Sequence, residues 1–251
     1  MFNKLAKITL AAFVLISYSA FAQETTISVS NFDAVVISPH IQVTFQQGPE
    51  ASVVVESITE PMEKLNVEVT RNTLSIFLDD ARITTKNEKQ KTAYYNRSKP
   101  IYKGTVARLI VTYKNINDLD LRGEEKFLFE SNIKTDKLRL KIFGESEVIM
   151  NGVNLNSLQA SLYGESHLEI MQGEIGTQKI TAYGETTVNT QNVESKETKL
   201  TAYGSGTFQL NVADRLKITS YGEATIVYKG NPDVDKGIVI GETTIVKKSG
   251  S

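Results

Sequence analysis

Tyr163, Tyr183, Tyr203 and Tyr221 each stand immediately before a glycine, and Glu145, Glu165, Glu185 and Glu223 each stand immediately after one. Phe143 holds the ring position one copy earlier, Ser205 interrupts the carboxylates, and Glu242 continues them. Rings offer flat apolar faces with a polar tip, and carboxylates accept hydrogen bonds. Side by side, the two sets are what a linear strip for an extended polymer such as a glycan needs. The same spacing has a structural alternative, in which the rings stack only on one another at a solvated corner. Carboxylates at strand spacing, about 4.8 Å, repel by roughly 1 kcal/mol per neighbour even in water. Such a row gains from a cation, a nearby lysine or a hydrogen-bonding ligand.

Catalytic chemistry finds less to use. There are two histidines, His40 and His167, far apart in sequence. His167 sits where neighbouring copies have Glu147 and Thr187, so it reads as a surface substitution and not as a base or ligand. No Cys/His cluster has metal-ligand spacing, and the Gly-Asp nonapeptide of calcium-loaded β-rolls is missing. "GESEV" and "GESHL" imitate a nucleophile elbow loosely, without its second glycine or flanking helix. A glycosidase-type carboxylate pair can be drawn on any glutamate-rich surface and carries no weight. No catalytic residue, metal or cofactor is therefore assigned.

The N-terminus reads as an address. Lys4 and Lys7 precede the apolar run "ITLAAFVLISYSAFA", which ends in the small-residue site Ala20-Phe21-Ala22. This is a secretory signal over residues 1–22 with cleavage before Gln23; the run is short for a span of about 20 apolar residues. The chain has no cysteine, hence no disulfide framework and no lipid-acceptor thiol after the signal. Losing Lys4 and Lys7 leaves 28 − 2 = 26 basic against 29 acidic residues, which gives no electrostatic reason to expect nucleic acid as a partner. No second apolar run is long enough to cross a bilayer, and no series of ten-residue strands ends in aromatics as a membrane barrel requires. The expectation is an exported protein that is periplasmic, on the outer surface or secreted.

The elements that position the rings and carboxylates follow from the period. Glycines at 123, 144, 164, 184, 204, 222 and 241 are separated by 21, 20, 20, 20, 18 and 19 residues. Four before each stand Leu119, Leu140, Ala160, Ile180, Leu200 and Ile218; four after stand Phe127, Val148, Leu168, Val188, Phe208, Ile226 and Ile245. Between the apolar positions lie Asp120, Lys141, Ser161, Thr181, Thr201 and Thr219, so apolar and polar residues alternate with period two. Each copy is strand, glycine corner, strand. Such a coil cannot bury its inner face alone. Stacked on like coils it can, which predicts an all-β fold, a parallel β-helix (solenoid) with coils of about 20 residues. By the alternation, the residue before each glycine points outward, and stacking in register sets its ring in a column. An antiparallel sandwich is the alternative architecture.

Residues 23–251 read as one domain, with repeat coils over 116–251 and non-repeating strands over 23–115 that cap them. "FDAVVISPHIQVTFQQG", "SVVVES" and "LNVEVTRNTLSIFL" are strand runs. The polar stretch Asp79 to Lys99 is a surface excursion between strands, mobile before functional.

In that order, followed by strand-glycine-strand repeats, these runs resemble the head GIN domain family, grouped with auto-transporter adhesins and common in secreted Bacteroidetes proteins. Its repeat usually reads Gly-Ser-Gly; here Gly204-Ser205-Gly206 keeps that form while other copies carry Glu or Thr. The resemblance implies a right-handed β-helix outside the cytoplasm. The resulting expectation is a non-enzymatic cell-envelope or secreted protein that binds a glycan or other cell-surface polymer as an adhesin-like module. Its alternatives are a structural envelope protein without a small ligand and a polysaccharide-active β-helix enzyme. A monomer is expected, with edge-mediated dimerisation as the alternative.

Overall fold

The computed structural model describes residues 25–91 and 96–248. The signal sequence expected over residues 1–22 lies outside them. Among the described residues there is no α-helix, so none is long and apolar enough to cross a membrane; one 3-10 turn, Met62–Lys64, follows Pro61. The N-terminal strands are β1 (Thr25–Ser28), β2 (Ala34–Ile37), β3 (Ile41–Gln47), β4 (Ser52–Ile58), β5 (Leu65–Thr70), β6 (Thr73–Leu78), β7 (Asn87–Lys91), β8 (Asn96–Pro100) and β9 (Ala107–Tyr113). The repeat supplies β10 (Asp118–Gly123), β11 (Lys126–Phe129), β12 (Ile133–Gly144), β13 (Glu147–Met150), β14 (Val153–Gly164) and β15 (His167–Ile170). It continues through β16 (Gly173–Tyr183), β17 (Thr186–Asn189), β18 (Val193–Lys229), β19 (Asp233–Ile240) and β20 (Thr244–Lys247).

The repeat winds a solenoid of about six turns from parallel stacked coils of about 20 residues. β10, β12, β14, β16 and β18 stack in parallel before the glycine corner. After it stack β11, β13, β15, β17 and the later part of β18. Register is like on like: Ile142 meets Leu162, Leu162 meets Ala182, and Ala182 meets Ala202. The inward columns Leu140, Ala160, Ile180, Leu200, Ile218 and Val148, Leu168, Val188, Phe208, Ile226 are wholly buried. Burying each larger side chain stabilises by about 1.5–3 kcal/mol, which no single coil could achieve alone.

The N-terminal strands close the start of the stack, and they do so partly as further coil. β2 runs parallel to both β6 and β10, and β3 to both β9 and β11. Val35 pairs with Leu119, Ile37 with Leu121 and Val43 with Phe127, so the inward columns continue without interruption. The run "AVVISPHIQVTFQQG" therefore divides at Ser38-Pro39-His40, a corner without glycine where His40 takes a φ of 73°. The remaining pairings are antiparallel: β4 with β1 and β9, and β5 with β6. The polar excursion carries an antiparallel pair of its own, β7 with β8, in a separate two-stranded sheet.

Candidate functional site

The corner fixes where every candidate side chain goes. At Gly184 φ is 105°, and a Cβ there would stand 2.7 Å from the carbonyl oxygen of Gly164 on the preceding coil. Backbone thus approaches backbone where only glycine fits. Two residues on, the serine of Gly-Glu-Ser turns inward: Ser146 donates to the Gly123 carbonyl at 2.9 Å, and Ser166 to that of Gly144 at 3.2 Å. This serine satisfies a corner carbonyl, so the likeness of "GESEV" to a nucleophile elbow has a structural origin.

On the strand side of the corner the rings form one continuous ladder. Centroids are 4.8 Å apart from Phe143 to Tyr163, 5.1 Å to Tyr183, 4.8 Å to Tyr203 and 5.1 Å to Tyr221, with planes within 6° of parallel. Each contact is worth about 1 kcal/mol. Tyr163, Tyr183 and Tyr203 remain 37%, 40% and 39% exposed, as the alternation requires of outward positions. The ladder begins under a cation: the Arg122 guanidinium lies 5.2 Å from the centre of the Phe143 ring, held by Asp120 through bonds of 2.5 and 2.9 Å.

On the far side of the corner the carboxylates separate into two places. Glu165, Glu185 and Glu223 line an open groove of about 550 Å³, together with Ser205 and Glu242. Among the described residues no lysine or arginine lies within salt-bridge distance of these groups; the nearby pair Lys126–Glu147, at 3.4 Å, belongs to the column two residues further on. Glu145 lies one coil earlier, in a separate cleft of about 500 Å³ shared with Phe143, Arg122, His40 and Glu125. Among the described residues no group of three or more His, Asp or Glu side chains is arranged to hold a metal.

That cleft contains what sequence spacing did not reveal. Glu125 is 5% exposed and takes the Glu124 N–H at 3.0 Å; burial pushes its carboxyl above the usual value, against the opposing pull of hydrogen bonds from Glu124 and His40. His40 is engaged on both ring nitrogens, Nδ1 with the Gly104 carbonyl at 2.7 Å and Nε2 with Thr85 Oγ1 at 2.6 Å. A carbonyl can only accept, so Nδ1 carries the proton and Nε2 accepts from the threonine in the neutral ring. His40 therefore clasps the excursion to the corner. His167, on β15, sits half-buried in register between Glu147 and Thr187.

A family model described as "Putative auto-transporter adhesin, head GIN domain" matches residues 31–232. No curated protein matches the chain. Among solved structures, a "putative adhesin" of Bacteroides fragilis superposes with a TM-score of 0.73 at 16% identity, covering 90% of this chain and 96% of its own. A "putative adhesin" of Parabacteroides merdae gives 0.66 at 16% identity, covering 90% and 95%. A "putative lipid binding protein" of Parabacteroides distasonis gives 0.59 at 16% identity, covering 91% and 98%. At such identities the likeness is one of fold.

Proposed function

The chain belongs to the head GIN domain family, and from that premise we propose that it is an exported, non-enzymatic adhesin-like protein whose outward ladder docks an extended glycan on a cell surface. Tyr163, Tyr183, Tyr203 and Tyr221 supply a row of ring edges and hydroxyls, and Glu145, Glu165, Glu185 and Glu223, across the glycine corner, supply acceptors for sugar hydroxyls. The observation that carries this reading is the ladder itself. Its rings lie nearly parallel at 4.8–5.1 Å, with Tyr163, Tyr183 and Tyr203 more than a third exposed, which makes a regular strip of ring edges and hydroxyls along which a chain molecule can lie.

The test is a glycan array read together with product analysis. Wild-type protein should retain one or more neutral polysaccharides and release no unsaturated or shortened products. The double variant Tyr183→Ser, Tyr203→Ser breaks three ladder contacts, so it should melt earlier by the equivalent of about 3 kcal/mol. Measured well below that transition, it should also lose retention. Unchanged retention in the double variant would leave the rings with the purely structural role of an envelope protein, and turnover of any polysaccharide would make the protein an enzyme.

A further inference from the structure

The outward face that carries the ladder holds a second feature, four residues upstream of the rings. Five positions before each corner glycine stand Asp118, Arg139, Gln159, Lys179, Lys199 and Lys217. Pairing from strand to strand places Asp118 against Arg139, Arg139 against Gln159, Gln159 against Lys179 and Lys179 against Lys199, with Asp235 closing on Lys217. The ends of this column are neutralised: Arg139 reaches Asp118 at 2.7 Å, and Lys217 reaches Asp235 at 3.0 Å. The middle is not. Lys179 and Lys199 are exposed neighbours at strand spacing, and among the described residues neither has a carboxylate within 4.0 Å. Lys137 and Arg215, in the next outward column, are likewise without one within salt-bridge distance, although Glu197 shares their column and Asp233 stands in register with Arg215 on β19. Lys137, Lys179, Lys199, Arg215 and Lys217 wall a cavity of about 330 Å³.

The floor of the cavity departs from the repeat in the same two coils. Six positions before the glycine the inward residue is Leu138, Leu158 or Leu216, but Gln178 and Thr198 in the coils that carry Lys179 and Lys199. Gln178 is 2% exposed and lines the cavity. Its amide nitrogen donates to Thr198 Oγ1 at 2.9 Å and Ser195 Oγ at 3.2 Å, while its Oε1 has no partner. A leucine position made polar, with an acceptor left unsatisfied inside the coil, is a cost to folding that the two coils carry beneath the lysines. Unpaired cations in register likewise repel until an anion bridges them.

We propose that this cavity binds an acidic polysaccharide, one whose successive sugars carry carboxylate or sulfate groups. Anionic groups bridge Lys179, Lys199 and Arg215 along the outward face. Sugar units advance along a chain by a length similar to the coil spacing, so one anionic group can meet each coil. The outward columns here carry no aromatic residue on which nucleic acid bases could stack, and Leu158 is the apolar side chain among the lining residues, too little for acyl chains. This site stands apart from the ring ladder and does not require it.

Polygalacturonate and dextran sulfate, immobilised separately, are the probes, with plain dextran as the neutral control. The wild-type protein should bind at least one acidic probe, and more weakly as salt rises. The double variant Lys179→Gln, Lys199→Gln should bind it at least about tenfold more weakly with melting unchanged or slightly raised, because both side chains are exposed and their mutual repulsion is removed. Lys126→Gln, an exposed cation on the other side of the corner, should leave this affinity unchanged, which separates the cavity from surface charge in general. Which probe binds distinguishes carboxylate from sulfate. The proposal is overturned if neither probe binds, if the lysine variant binds as tightly as wild type, or if plain dextran competes equally. Free sulfate, or a single-stranded oligonucleotide, binding as tightly as either polymer would overturn it as well.

Discussion

Glu125 occupies the inward position that holds Ser146 and Ser166 in the next two coils. A serine there is satisfied as a neutral donor, whereas a carboxylate must give up water to fit. Burial therefore raises the Glu125 carboxyl above its ordinary value of 4.5. Because the folded value lies above the unfolded one, folding favours the protonated acid. Its contribution to stability is present below about pH 4.5 and is lost as pH rises through the folded value. Glu125→Gln removes that titration, so the variant should melt above wild type near pH 7, with the gap closing near pH 4. An equal gap at both pH values would show that the carboxyl is not desolvated. Among the residues, outward parity was legible: alternation placed Tyr163, Tyr183 and Tyr203 on the surface without any structure. The pairing of Glu125 with His40 was not, because the two meet only when the β2–β3 corner stacks beneath the β10–β11 corner.

At the scale of the element, the coil is held by its corner more than by any one strand. Gly184→Ala should cost about 2 kcal/mol or more, since it combines a φ of 105° with a Cβ 2.7 Å from the Gly164 oxygen. Gly237 makes the control: its φ lies outside the left-handed region and its nearest contact would be 3.3 Å, so Gly237→Ala should cost less than about 1 kcal/mol. Urea melts of the two variants, compared at constant slope, check both values. The repeat was readable because this steric demand recurs every coil and writes a glycine each time. The β2–β3 coil escaped notice because its corner meets the same demand with Pro39 and a positive-φ His40. β7 and β8 escaped because "NEKQK" and "NRSKP" carry no apolar alternation to announce them. The cationic column obeys the twenty-residue spacing and was equally visible. What the spacing could not show is that Asp118 and Asp235 neutralise its ends and leave Lys179 and Lys199 unpaired.

At the scale of the whole molecule, a solenoid must end without exposing a strand that recruits another chain. The N-terminal end is closed by antiparallel pairing of β5 with β6 and β4 with β9. The other end is barer. Among the described residues, β19 and β20 pair only with β18, and Ile238, Val239, Ile240 and Val246 are 55%, 37%, 59% and 46% exposed. Two devices guard this edge. The register of β19 on β18 shifts between Ile218 and Ser220, an irregularity that bends the edge away from flat pairing. Charge does the rest: Asp233, Lys236, Lys247 and Lys248 are exposed along the last coil, and Lys247 is steadied by Asn231 at 2.9 Å. Docking a second edge would bury those ammonium groups against like charges. Light scattering should therefore find a monomer at micromolar concentration, and replacing Lys236 and Lys247 together with Val should produce mass that rises with concentration. A wild-type protein that is already dimeric would show that the apolar edge outweighs its charges, and that two solenoids join end to end through β19.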